Sequence, residues 1–524
     1  MRWRLGIAIA VLGALAVVIV AFAAANSSPP RDPAGATVQP PPTAAVLAGA
    51  KGPTLRIAAG SGRPIRRGFL GFSVEFQAVR AYTGNNPRVV NPVLLQLIRN
   101  LSPGQSPTLR IGGDSTDVSW VPTRGVKPPP YVSYRLTPGW LATTAALAHD
   151  LGAKMTMGLN LAANEPALAA AEARAYLKTI GRRFIAALEI GNEPNVYGKI
   201  QVLHTLLGAP LYARPRDYGY PQFLSEFGAE VAAAPRLALS GPALAVGPTP
   251  ELGSWVQTMP SFLRGQQRLG SLTVHRYPLR NCFVAPSSPQ YPTVANLLSS
   301  YSTTGLAASL RRWIAIAHAQ HRAIRVDELN SVACRGKTGV SDTLAASLWV
   351  TDALFSLIHA GVDGINMHTL PNSAYQLFQF SHHGGHWHAR VQPVYYGLQL
   401  FAQAAPVGAR LISLHGLHGA PALSAWATRT ADGTVRVVLI NKSQRVSRNV
   451  TLLAPGAVRS ATIERMQGRS VHSSDVTLGG RSYGASTYSG RLAAPALQSV
   501  KRRGRGYLVS VPRGSAALVT FAPR

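Results

Sequence analysis

The sequence predicts an α/β chain: a (β/α)8 TIM barrel with an additional C-terminal β-sandwich domain. Three observations carry that expectation. From residue 69 onward, eight short β-branched runs alternate with amphipathic helical stretches over about 330 residues, the rhythm and length of a barrel. No Gly-rich phosphate loop follows an early strand, as a doubly wound sheet would normally show. After residue 404 the helical period stops, and short alternating strands recur with Gly, Pro and Asn between them, which is sandwich spacing.

The elements follow in order. Arg2 and Arg4 precede an uncharged run, 5–25, long enough to span a bilayer, and Ala23-Ala24-Ala25 offers a small-residue cleavage site. Residues 1–25 are therefore expected to be a signal peptide or an N-terminal membrane anchor. Both positive charges precede the run, so the rest of the chain is expected to be extracytoplasmic, secreted or held at the membrane. Residues 26–53, with Pro29, Pro30, Pro33 and Pro40-Pro41-Pro42, read as an extended Pro/Ala-rich linker. In segment 54–66, the strand 54–59 has no helix after it and is expected to join the sandwich. The barrel, 67–404, has predicted strands at 69–76, 108–113, 153–161, 184–191, 237–246, 272–277, 324–328 and 364–368. Helices are expected at 92–100, 138–151, 166–180, 221–234, 341–360 and 394–404, several opened by a capping residue or Pro. The sandwich, 405–524, has strands at 411–415, 423–428, 434–441, 449–453, 461–465 and 516–521.

Composition narrows the classes. With 46% hydrophobic and 14% charged residues, the 524-residue chain is not disordered at length. One uncharged stretch of spanning length excludes a polytopic membrane protein. The net charge of +31 suggests nucleic acid, but 44 of the 52 basic residues are Arg, in a chain rich in Ala, Pro and Gly. That pattern reads as compositional bias first and as a surface for polyanions second. Lys501-Arg502-Arg503-Gly504-Arg505 reads as a solvated hairpin; no nucleic-acid fold accompanies it, so no nucleic-acid partner is expected. His382, His383, His386 and His388 lack the companions and spacing of a metal site and read as loop histidines near a cleft, with Trp387 among them as a stacking surface. No metal or cofactor is expected.

Chemistry in such a barrel sits at the C-terminal ends of the strands. The fourth ends in Glu189-Ile190-Gly191-Asn192-Glu193-Pro194, the sixth in His275-Arg276-Tyr277 and the seventh in Asp327-Glu328. Glu193 and Glu328 thus face each other across the barrel mouth. Paired carboxylates are what glycoside hydrolysis needs: one protonates the leaving oxygen, and the other attacks the anomeric carbon or activates water. Tyr277 is expected to donate its hydroxyl to Glu328 and keep it ionised. The two cysteines, Cys282 and Cys334, follow strands six and seven on adjacent loops, and a disulfide rimming the site is expected.

Asn192-Glu193-Pro194, Tyr277 and Glu328 resemble the retaining barrel glycosidases of clan A. Leu109-Arg110-Ile111-Gly112-Gly113 and the run Asn330-Ser331-Val332-Ala333-Cys334 after Glu328 narrow the resemblance to glycoside hydrolase family 79, which includes β-glucuronidases and heparanases. It covers roughly 54–524. The resemblance implies a β-glucuronidase-like retaining hydrolase with Glu193 as acid/base and Glu328 as nucleophile, about 5–5.5 Å apart. It implies Asn192 on the sugar 2-hydroxyl, Arg110 and Tyr277 beside the nucleophile, and Glu75 as an acidic sugar ligand. Tyr375, Arg335 and Lys337 are candidates for a uronate carboxylate, and the partner would be a glucuronide or acidic glycan. Asp114 stands where the family usually has a neutral residue, and strand eight, Asn366-Met367-His368-Thr369, lacks the usual Gly-rich run. Two alternatives stay open: a clan-A β-xylosidase or α-L-arabinofuranosidase, and a non-catalytic glycan- or wall-binding protein.

Overall fold

Eight parallel strands close on one another in chain order: β1 (Leu70–Val74), β2 (Thr108–Ile111), β3 (Lys154–Leu159), β4 (Ile185–Ile190), β5 (Leu239–Ala245), β6 (Leu269–His275), β7 (Ala323–Leu329) and β8 (Gly364–Thr369), with β8 returning to β1. This computed structural model describes residues 52–201, 203–204 and 208–524. The expected export or anchor segment, 1–25, lies outside those residues, as does the linker through residue 51. Among the described residues no helix is long and apolar enough to cross a membrane.

One main helix follows each strand: α1 (Pro92–Asn100), α2 (Pro138–Leu151), α3 (Pro166–Thr179), α4 (Tyr220–Ala233), α5 (Met259–Gly265), α6 (Arg311–Ala319), α7 (Leu344–Ala360) and α8 (Pro393–Ala404). The starts are set locally. Asn91 accepts hydrogen bonds from the Val93 and Leu94 N–H groups, and Thr137 accepts from Trp140, each just before a Pro that needs no partner. Helix α7 begins at Leu344, three residues later than its apolar pattern suggests. The Leu344 and Ala345 N–H groups donate to the Ser473 and Val471 carbonyls instead of leaving orphan donors. Nearly every side chain of α7 is buried, because it lies between the barrel and the C-terminal domain.

The C-terminal domain is two packed sheets. One runs Leu414–His415, Thr54–Ile57, Arg448–Leu453, Gly506–Val511 and Arg502–Arg503. The other runs Arg63–Pro64, Arg410–Ile412, Leu423–Arg429, Val435–Asn441, Ser515–Pro523, Val458–Gln467 and Thr477–Leu478. Thr54–Ile57 pairs in parallel with Arg448–Leu453, so the chain enters the sandwich before it builds the barrel. Asp352 on α7 fastens the two bodies: it takes the Lys442 Nζ at 2.7 Å, the Ser424 Oγ at 2.8 Å and the Trp426 Nε1 at 2.8 Å.

The segment read as a histidine loop is a β-hairpin, Phe378–His383 with His386–Val391. Gly384 and Gly385 turn it at φ +56° and +79°, left-handed values that glycine adopts without steric cost. Alternating His with aromatic residues around a Gly-Gly pair was the strand signal that reading missed.

One irregularity decides the active face. Val274 pairs with Val326 and His275 with Glu328, so Asp327 is an extra residue in β7. The β7–β8 ladder shows the same insertion, Val326 opposite Ile365 and Leu329 opposite Met367. Successive side chains in a regular strand face opposite ways; this bulge turns both Asp327 and Glu328 into the barrel.

Candidate active site

A buried polar layer sits under the C-terminal mouth, built around Arg110, which has no exposed surface. Its Nε donates to Glu189 Oε2 at 2.6 Å, Nη1 to Ser73 Oγ at 3.1 Å and Nη2 to Asn192 Oδ1 at 3.0 Å. Asp327 Oδ2 lies 3.5 Å from Nε and Glu328 Oε2 lies 3.7 Å from Nη1. Thr273 donates to the second Glu189 oxygen at 3.0 Å. Burial pushes Glu189 up, but the Arg110 charge, the hydrogen bonds with Asp327 and Arg110 and the His275 charge together outweigh it, and the carboxyl is held below its usual range. Burial and then the Glu189 charge push Asp327 well above the usual range. The two buried carboxyls are thus driven apart, Glu189 toward its ionised form and Asp327 toward its protonated one.

Above this layer, His275 joins the two glutamates. Its Nδ1 lies 2.9 Å from Glu193 Oε1 and 2.8 Å from Glu328 Oε2, and its Nε2 lies 3.5 Å from Asp327 Oδ1. The contacting atoms of Glu193, His275 and Glu328 all lie within 4.8 Å of one another. His368 Nδ1 approaches the other Glu328 oxygen at 3.1 Å. Burial alone would raise Glu328; the charges of His368 and His275, the hydrogen bond with His275 and the Arg110 charge outweigh it, so this carboxylate stays ionised. Burial would lower His275, but the charges of Glu328 and Asp327 and the hydrogen bond with Glu193 together outweigh it, and the ring is raised well above its ordinary value. Glu193 reaches this position from a left-handed backbone, φ +52°, in the turn after β4. A non-glycine residue in that region is strained, and such strain gathers at functional sites.

The mouth carries two more acids. Glu75, after β1, accepts the Asp114 N–H at 3.1 Å, the Ser115 N–H at 2.8 Å and the Ser115 hydroxyl. Gly113 makes this possible: at φ +100° a Cβ there would lie 2.2 Å from Glu75 Oε1. Asp114 opens into the cleft and accepts from Asn192 Nδ2 at 3.1 Å. The enclosing walls, then Glu75, Glu193 and Glu328, raise its carboxyl well above the usual range. Glu75, Asp114, Glu193, His275, Tyr277, Glu328, His368 and Tyr375 line one cleft of about 770 Å³.

Two sets of ligand atoms, Glu75–Glu328–His368 and Glu193–His275–Glu328, are close enough to hold a cation. Both share Glu328, whose two oxygens already face ring nitrogens, so a proton-linked carboxylate cluster describes the site.

The structure brings Glu75, Glu193, Tyr277, Glu328 and Tyr375 together as cleft-lining residues. Tyr277 does not donate to Glu328; the bulge turns that carboxylate toward His275 and His368, and the Tyr277 ring lies 6.3 Å from that of Tyr375 instead. Arg110 and Asn192 stand beneath the cleft, and the Asn192 amide is held by Arg110 and Asp114 rather than presented to a ligand. Arg335 lines the cleft and Lys337 does not. Cys282 and Cys334 are bonded, Cα atoms 6.1 Å apart, on the rim. The histidine hairpin is outside the lining; Trp387 packs on His382, ring centroids 4.9 Å apart. Sequence reasoning missed His275, His368 and Asp327. For His275 a signal existed: it sits two residues before Tyr277 and so shares its face of the strand.

This is the geometry of a barrel glycoside hydrolase, and comparison with known proteins agrees. Residues 425–518 match the glycosyl hydrolase family 79 C-terminal beta domain. Among solved structures, a 4-O-α-L-rhamnosyl-β-D-glucuronidase from Fusarium oxysporum 12S is similar at TM-score 0.68 and 18% identity, covering 89% of this chain and 99% of that one. A family 51 arabinofuranosidase from Xanthomonas axonopodis pv. citri gives 0.63 and 16%, covering 90% and 99%. A family 44 xyloglucanase from Paenibacillus polymyxa gives 0.57 and 12%, covering 91% and 100%. No curated protein matches in sequence. The barrel-plus-sandwich expectation and the resemblance to glycoside hydrolase family 79 are borne out, and the domain match with the fold supports a glycoside hydrolase.

Proposed function

We propose that the protein is a retaining β-glucuronidase acting outside the cytoplasm, with Glu328 as nucleophile and Glu193 as acid/base. The observation that carries the mechanism is the shared contact of His275 Nδ1 with both glutamates, which holds their oxygens within 4.8 Å. That spacing suits direct attack; an inverting pair needs about 6.5–9.5 Å to admit a water.

The ionised Glu328 attacks the anomeric carbon, the glycosidic C–O bond breaks, and Glu193 gives its proton to the departing oxygen. Water then attacks the glycosyl–Glu328 ester, its proton passes to Glu193, and the sugar leaves with its configuration retained. The family 79 domain match and the glucuronidase among the similar structures support the sugar. Arg335 and Tyr375 are the groups in the lining proposed to meet its carboxylate.

Hydrolysis of aryl β-D-glucuronide by the full chain tests this, read by NMR for the first anomer released. Retained configuration, lost with Glu328→Gln, is the expected result. Turnover of aryl β-xyloside or α-L-arabinofuranoside but no glucuronide would reject the sugar and keep the mechanism.

A further inference from the structure

Part of what holds Glu193 in place lies outside the cleft. Its turn leaves β4 at Gly191 and runs through Pro194-Asn195-Val196 to Tyr197, and Glu193 itself is left-handed at φ +52°. A residue other than glycine keeps such a backbone only where its surroundings over-determine it. On one side β5 supplies the restraint. The Glu193 N–H donates to the Ala243 carbonyl at 2.9 Å, and the Asn195 amide donates to the Ala245 carbonyl at 2.8 Å and accepts its N–H at 3.0 Å.

On the other side the restraint falls on Asn192, the residue before Glu193. Its side chain is taken up by Arg110 and Asp114, and its N–H donates to the Tyr197 hydroxyl at 3.4 Å. That hydroxyl in turn donates to Asp117 Oδ2 at 2.7 Å, while Asp117 Oδ1 accepts the Ala162 N–H at 3.4 Å. Burial pushes the Asp117 carboxyl up to about 7; the Tyr197 hydroxyl, the Ala162 N–H, the Arg214 charge and the Asn192 N–H pull the other way. Tyr197 and Asp117 are both buried, and neither lines the cleft. The Tyr197 ring is fixed independently of its hydroxyl. It stacks on Tyr218, centroids 6.1 Å apart, and lies under the Arg214 guanidinium, which is itself tied to Glu226 and to the Leu161 and Ala162 carbonyls. The approach is close: a Cβ at Gly191, where φ is +78°, would lie 3.1 Å from the Tyr197 hydroxyl.

We propose that Tyr197 and Asp117 are positioning residues for the acid/base: the Asp117-anchored hydroxyl of Tyr197 fixes the strained turn that aims Glu193 at the leaving oxygen. This rests on Glu193 being the acid/base.

Tyr197→Phe removes the hydroxyl and keeps the packed ring, and Asp117→Asn removes the charge and keeps the shape. Each is assayed in the full chain, beside Glu193→Gln, on an alkyl β-D-glucuronide and on the β-D-glucuronide of a strongly acidic phenol. Only the alkyl leaving group needs a proton. On the alkyl substrate kcat/KM is expected to fall about 10–100-fold in both variants, less than removal of Glu193 costs, because a misaimed acid forfeits only part of its effect. KM for the alkyl substrate and kcat/KM for the phenol substrate are expected to stay unchanged. A merely structural role would lower both substrates alike; that result, or no loss on the alkyl substrate, overturns the proposal. Should Tyr197→Phe not fold, Asp117→Asn decides by the same criteria. Glu193→Gln separates the two readings. Without a leaving-group-selective loss in Glu193→Gln, the acid/base assignment itself fails; with that loss there and none in Tyr197→Phe, only the positioning claim fails. Turnover of a xyloside or arabinofuranoside instead moves the same comparison to that sugar. If no glycoside turns over, the crystal structure of Tyr197→Phe decides: Glu193 is expected to leave its left-handed φ, and an unmoved Glu193 overturns the proposal.

Discussion

Arg110→Met removes the one cation of the buried layer and keeps its volume. At an effective dielectric of about 20, unit charges 2.6 Å apart, as Arg110 and Glu189 are, attract by about 6 kcal/mol. Desolvation of both groups offsets part of this, and deleting one partner of a buried pair costs about 3–5 kcal/mol. The loss also has a sign in pH. In the native chain Glu189 is held below its unfolded value, so its contribution is present above the ordinary carboxylate range and lost as pH falls through the lowered value. In the variant the strongest group opposing burial is gone, and only Thr273, Asp327 and His275 remain, so Glu189 moves up, is destabilising at neutral pH, and is relieved by taking a proton. The stability gap between the two chains should therefore be about 3–5 kcal/mol at pH 7 and narrow steadily from pH 5 to 4. Urea unfolding followed by tryptophan fluorescence across that range measures it. A gap below 1 kcal/mol, or one that does not change with pH, would refute the assignment of the negative charge to Glu189 under Arg110.

Other expectations follow from the same geometry. Glu193→Gln should slow hydrolysis of alkyl glycosides by about 10²–10⁴-fold while sparing those with strongly acidic phenol leaving groups, because only the former need a proton; a Brønsted plot over a leaving-group series checks it. His275→Gln, which removes a charged donor shared by Glu193 and Glu328, should cost about 10²–10³-fold in kcat. His275 is raised in the fold, so its contribution to stability is complete below about pH 6.5 and lost as pH rises through the raised value; the variant should lack that alkaline loss in thermal unfolding. Reducing the Cys282–Cys334 bond, which spans 52 residues, should cost up to about 4 kcal/mol by chain entropy, read as a shift in the urea midpoint with reductant.

What was legible in the sequence was the part encoded over short range. Apolar runs bounded by Pro and Gly locate the barrel strands, and Asn91-Pro92 and Thr137-Pro138 mark helix starts, because caps and φ restraints act within a few residues. The site glutamates were legible for a related reason: a barrel presents strand ends on one face, so Glu193 and Glu328 could be placed without knowing any contact between them. What failed was partner identity. The expectation that Tyr277 serves Glu328 assumed regular alternation, but an extra residue at Asp327 breaks the register, and nothing in Arg325-Val326-Asp327-Glu328 announces a bulge. That one inserted residue gives Glu328 to His275 and His368 and sends Asp327 under Arg110. Arg110 lies beside Glu328 as expected, whereas Asn192, read as a ligand to the sugar 2-hydroxyl, is held by Arg110 and Asp114. Register depends on the neighbouring strands, β6 and β8, and their pairing is a property of the closed barrel rather than of any one segment. The positions of Glu193 and Glu328 were therefore readable residue by residue, whereas the His275 contact that joins them exists only once β6, β7 and β8 have closed around it.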